Sequence, residues 1–184
     1  PTATVRHPVT GKPHKVIMLG SNSYLGLTTH KRVVDAAKRA IDEYGYGTGA
    51  VSLYAGTTDL HKRLEMVIAD FYGAEDALLF PTGYAANVGT LSALLREEDC
   101  VLCDMFDHAS IFDGCRLSGA RIVTYVHSNM RHLERKLKAA CKEHKNVLIA
   151  TDGVFSMEGD TAPLDRIVQL ARSYGARTFL DEAH

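Results

Sequence analysis

The stretch Asn146–Asp181, NVLIATDGVFSMEGDTAPLDRIVQLARSYGARTFLD, decides the fold. It opens on Asn146–Thr151, a short apolar run of the kind that forms a buried strand. A loop carrying Gly153 and Gly159 follows. Pro163–Tyr174 then has helical periodicity, with Leu164, Ile167, Val168 and Ala171 on one face and Pro163 in its first turn. Gly175 stops it, and Arg177–Asp181 is a second short strand. Strand, helix and strand joined this closely form a crossover unit whose strands run parallel.

The same beat extends upstream. Met130–Cys141 is a helix with Leu133, Leu137 and Ala140 inward. Arg121–Tyr125 is a strand, Ala109–Leu117 a helical turn and Cys100–Asp104 a strand. Tyr84–Leu95 has helical period, and Ala77–Phe80 reads as a strand halted by Pro81-Thr82-Gly83. These elements predict an α/β fold with a doubly wound, mainly parallel sheet. The front is less regular. Val16–Leu19 reads as a strand. Lys31–Tyr44 is a helix with Val33, Val34, Ala37 and Ile41 on its apolar face, and Leu60–Tyr72 is another with Leu64, Val67, Ile68 and Phe71. Gly45, Gly47, Gly49 and Gly56 mark a tightly turned or flexible link between them.

Composition excludes several function classes. The 184 residues carry 21 Lys+Arg against 22 Asp+Glu, a net charge of −1. No basic excess draws the chain to nucleic acid or an anionic membrane. No run of about 18 apolar residues would span a bilayer. Of four cysteines, only Cys100 and Cys103 are close, and no second ligand pair follows, so no metal site is expected. They read as small buried side chains in a reducing compartment, which points to the cytoplasm. The chain starts at Pro1 rather than Met, which leaves a preceding targeting or anchoring segment open.

In open α/β sheets, ligands bind beyond the carboxyl ends of the strands. Each strand end here delivers polar residues: Thr82-Gly83-Tyr84 after Phe80, Asp107-His108 after Asp104, Asp152 and Ser156 after Thr151, and Asp181 and His184 after the last strand. Thr82-Gly83-Tyr84 turns into a helix N-terminus, where free amides and the helix dipole attract an anion, although an ordinary N-cap gives the same sequence. Asp181 is either a solvated strand end or the partner of a cationic ligand nitrogen. Ser156 lacks a Gly-x-Ser-x-Gly elbow, which excludes a serine hydrolase of that type. Asp181-Glu182-Ala183-His184 spells a helicase box, but no Gly-x4-Gly-Lys-Ser/Thr phosphate loop accompanies it.

Taken together, these residues resemble the α-oxoamine synthase family. The matching stretches are Ser21–Leu27 (SNSYLGL), Ala55-Gly56-Thr57 with His61 and Leu64-Glu65, Thr82–Asn87 (TGYAAN), and Asp107–Ser110 (DHAS). They continue through Asp113-Gly114, Arg116–Ser118, Thr151–Asp160 (TDGVFSMEGD), Ala162–Leu164 and Asp181–His184 (DEAH). The resemblance implies the large domain of a fold-type-I, aspartate-aminotransferase-like enzyme using pyridoxal 5'-phosphate (PLP). Such enzymes join an amino acid to an acyl-CoA, or to a carrier-bound acyl thioester, usually as homodimers with the site at the subunit interface.

Carried over residue by residue, the resemblance gives Thr82, Gly83 and Tyr84 to the cofactor phosphate, the last two through backbone N–H groups. It stacks His108 on the cofactor ring, where it also helps place the substrate carboxylate. Asp181 pairs with the ring nitrogen, Ser156 and His184 lie near the phenolic oxygen, and Asn22 and Tyr24 lie near the substrate entrance. His108, Asp181 and His184 form the expected catalytic set. Ser52 stands where many relatives have Arg, and Asp152 where Glu is frequent. The family's Schiff-base lysine and C-terminal domain lie beyond the position of His184, so the resemblance makes this chain a truncated enzyme. Residues 1–55 are expected as an N-terminal segment with one helix, and 56–184 as the first part of the PLP-binding domain. The alternatives are a lysine-lacking, non-catalytic subunit of a heterodimeric synthase and another fold-type-I enzyme, an aminotransferase or lyase.

Overall fold

The protein is described by a computed structural model covering residues 2–184. The described residues divide into two compact units, 2–77 and 78–184. In the first, β1 (Thr2–Arg6) pairs antiparallel with β2 (Pro13–Ile17). Two 14-residue helices follow, α1 (Lys31–Tyr44) and α2 (Asp59–Tyr72). Between them, Ser52–Gly56 forms a π-helical turn. A Cβ on Gly56 would collide with the Ala50 carbonyl oxygen, so the tight turn expected there requires glycine.

The second unit holds α3 (Gly83–Leu94), β3 (Cys100–Asp104), α4 (Ala109–Ser118), β4 (Arg121–Tyr125), α5 (Met130–Glu143), β5 (Val147–Asp152), α6 (Leu164–Tyr174) and β6 (Arg177–Asp181). The strands form one parallel sheet in the order β4-β3-β5-β6. The doubly wound parallel sheet read from the alternation is therefore present. Every residue of β3 is buried, as its central place demands. Because side chains alternate across a strand, β3 feeds two cores. Cys100 and Leu102 pack with Leu133 and Leu137 of α5 and Ile167 and Leu170 of α6. Val101 and Cys103 pack with Leu91 of α3 and Ile111 and Cys115 of α4.

Three expectations differ. Ala77–Phe80 is apolar but forms no strand, because nothing among the described residues offers it a ladder. The front strand is shifted to Pro13–Ile17, where it finds Thr2–Arg6 as its partner. The apolar faces of α1 and α2 are periodic as read, yet Val33, Ile41, Leu64, Val67 and Phe71 are exposed. Periodicity shows which face seeks cover and not whether cover is present.

Candidate active site

The carboxyl ends of β3, β5 and β6 and the N-termini of α3 and α4 surround an open cleft of about 110 Å³. Gly83, Tyr84, His108, Ser156, Asp181 and His184 all line it. Six of the residues expected from sequence are thus brought together. Thr82 is the N-cap of α3, and its hydroxyl accepts from the Ala85 amide at 3.0 Å. Asn22 and Tyr24 lie in the first unit.

The α3 end has the chemistry of an anion site. Gly83 and Tyr84 sit in the first turn, where amides have no intrahelical acceptor. A Cβ added to Gly83 meets no heavy atom within 4 Å, so the space before it is open. Tyr84 points its hydroxyl elsewhere, donating to Asp113 of α4 at 2.9 Å, which raises the phenol's pKa. Its backbone is left for the cleft.

The strand ends supply the opposite charge. Asp181 ends β6, and its carboxylate accepts from the Ala183 amide at 2.8 Å and from the Asn87 side-chain amide at 2.6 Å. His108 is the N-cap of α4. Its backbone N–H donates to Asp152 Oδ2 at 3.1 Å, and Asp152's own N–H donates to Asp107 at 3.0 Å. Asp107 also accepts from the Asp104 amide at 2.8 Å. Two carboxyl groups therefore stitch β3 to β5 and set the position of His108. Burial pushes Asp107 up to about 8, and burial with the Asp181 charge pushes Asp152 up to about 6.

The loop after β5 presents Ser156. Phe155 is buried as its anchor, and its N–H donates to Asp160 at 3.0 Å, while Val154 bridges Thr161. His127 holds this loop to β3, bonding Asp104 and Asp160 at 2.9 Å each with its ring edge-on to Phe155.

Three polar lining residues were not among those assigned a role as site groups: Asn87, Ser110 and Asp152. Asn87 lies one helical turn from Gly83, so the period placed it on the cleft face. Asp152 stood among the strand-end polar residues and Ser110 within the DHAS stretch, but the contacts that give them their roles join distant segments. Among the described residues, no cluster of His, Cys, Asp or Glu is placed to hold a metal, and no helix is long and apolar enough to cross a membrane.

Residues 14–184 match the model of the family described as aminotransferase class I and II. The chain belongs to that family. Within the aminotransferase class I and II family, its relatives are α-oxoamine synthases, the group its motifs resemble. It is 50% identical over 176 residues to 8-amino-7-oxononanoate synthase of Bacillus pumilus, covering 96% of this chain and 45% of the relative. It is 48% identical to the mitochondrial 2-amino-3-ketobutyrate coenzyme A ligase of Bos taurus, covering 96% and 42%. Among solved structures, a serine palmitoyltransferase variant from S. paucimobilis with bound PLP–myriocin aldimine superposes with a TM-score of 0.90 at 37% identity, covering 99% of this chain and 47% of that one. The chain spans less than half the length of these relatives. The fold is that of fold-type-I PLP enzymes.

Proposed function

We propose that the cleft belongs to a PLP-dependent acyltransferase that condenses glycine, alanine or serine with an acyl thioester. A C–C bond forms between the amino acid's α-carbon and the acyl carbonyl carbon. The thioester C–S bond breaks to release CoA, and the amino acid's carboxylate usually leaves as CO2. The observation that carries the reading is that one cleft is lined both by the first-turn residues of α3, whose amides have no intrahelical acceptor, and by the Asp152 and Asp181 carboxylates. A ligand with a phosphate and a protonated ring nitrogen matches both kinds of group. Bound there, PLP supplies an electron sink for negative charge at the α-carbon.

The chain's own groups do the rest. The Gly83 and Tyr84 amides bind the phosphate, and Thr82 caps the helix that presents them. Asp181 stabilises a proton on the ring nitrogen. His108 covers the ring, limits its tilt and donates toward the substrate carboxylate. Ser156 and His184 orient the phenolic oxygen, while Asn22 and Tyr24 serve the substrate entrance. The working form is a homodimer with its sites at the subunit interface, and the free cysteines fit a reducing, cytoplasmic setting.

The test is reconstitution of the whole protein with PLP, read by the cofactor's visible absorption. CoA release is then assayed with each amino acid and a series of acyl-CoAs. CoA release is expected, and Asp181→Asn should retain cofactor while losing turnover on the order of several kcal/mol of transition-state stabilisation. A colourless protein, or a coloured one that transfers amino groups without releasing CoA, would overturn the proposal. Near-normal turnover in Asp181→Asn would remove the role given to that residue.

A further inference from the structure

Asn87 and Ser110 are buried beneath the cleft, Asn87 at 6% exposure and Ser110 at zero. They meet because α3 and α4 pack closely at Gly114, where a Cβ would lie 3.0 Å from both the Asn87 carbonyl oxygen and Leu91 Cβ. The hydrogens in this contact can be counted. Asn87 Nδ2 has two, one given to Ser110 Oγ at 2.8 Å and one to Asp181 Oδ2 at 2.6 Å. Turning the amide over would set its oxygen against a carboxylate, so this orientation is required. Ser110 Oγ, already accepting from Asn87, has one hydrogen of its own to give. His108 Nδ1 lies 2.6 Å away. The Ser110 backbone N–H also points at Nδ1, at 3.3 Å. A ring nitrogen facing two donors acts as an acceptor and carries no proton.

We propose that Asn87 and Ser110 are positioning residues, forming a buried relay from Asp181 to His108 that keeps the imidazole in its Nε2–H tautomer. The inference rests on the reading of this cleft as a PLP site. It gives two groups on that site a common support: one amide orients the Asp181 carboxylate and, through the Ser110 hydroxyl, sets the proton on His108. His108 then faces its ligands as a hydrogen-bond donor, suited to an anionic group such as an amino acid's carboxylate. In this state it cannot take a proton through Nε2.

The test is nitrogen NMR of the His108 side chain in the whole protein stripped of cofactor and labelled with ¹⁵N-histidine. The expected spectrum shows an unprotonated Nδ1 and a protonated Nε2. Ser110→Ala, a change small enough to keep the fold, should raise the share of Nδ1–H, and Ser110→Thr, which keeps the hydroxyl, should restore the original tautomer. In the reconstituted enzyme, Ser110→Ala should lower kcat about tenfold, the effect of one hydrogen bond, with recovery in Ser110→Thr. A predominant Nδ1–H form in the unaltered protein, or identical tautomers with and without the hydroxyl, would overturn the relay. The tautomer measurement needs neither cofactor nor substrate. Failure to bind PLP would therefore overturn the proposed function while leaving the relay standing.

Discussion

Asp107 accepts one backbone N–H on each carboxyl oxygen, from Asp104 and from Asp152. Asn in its place would turn one acceptor into a donor facing a buried N–H. Asp107→Asn should therefore cost about 1–3 kcal/mol of stability, measured by denaturant unfolding. The same residue predicts a pH dependence. Burial raises its folded-state pKa to about 8, so the folded protein holds this proton when the unfolded chain has released it. The resulting stabilisation is complete below the unfolded value of about 3.9 and is lost as pH rises toward 8. Unfolding from pH 5 to 8 should show a decline that is shallower in Asp107→Asn. Asp152, raised to about 6, supplies part of the decline that persists in that variant. Equal slopes in the two proteins would refute this assignment.

At the scale of elements, α3 combines two readings that its sequence left open. Thr82 is an ordinary N-cap, and the next amides still face the cleft. Thr82→Ala should reduce stability by about 0.5–2 kcal/mol. It should also weaken PLP binding, followed by titration of the cofactor absorption, because the frayed turn no longer holds its amides in line. Weakened unfolding stability with unchanged PLP affinity would confine Thr82 to capping. β3 shows what a short run settles alone. Its five buried residues, Cys100–Asp104, leave no solvent face, and the strand lies between two neighbours. Ala77–Phe80 is equally apolar and has no ladder. Strand character lies in the residues, but a strand exists only when another pairs with it.

At the scale of the molecule, the first unit carries two amphipathic helices whose apolar faces are uncovered, with Phe71 81% exposed. Faces of this kind mark association surfaces, and the homodimer proposed above would cover this one. Phe71→Asp in the whole protein should shift sedimentation toward the monomer. An unchanged sedimentation coefficient would remove this face from the dimer contact.

The local sequence by itself determined the strand–helix alternation, the parallel sheet and the polar residues at its carboxyl edge, because each depends on periodicity and turn chemistry within a few residues. His108, Asp181, Ser156 and His184 were legible because a strand end fixes where its next residues emerge. The tertiary structure alone decided how those residues are held. Asn87 meets Ser110 across 23 positions and Asp181 across 94, and no local pattern encodes either distance. The approach of α3 to α4 at Gly114, the stitching of β3 to β5 by Asp107 and Asp152, and the tautomer of His108 all follow from such contacts. A hydrogen bond requires its two groups within about 3 Å, and only the folded chain brings these together.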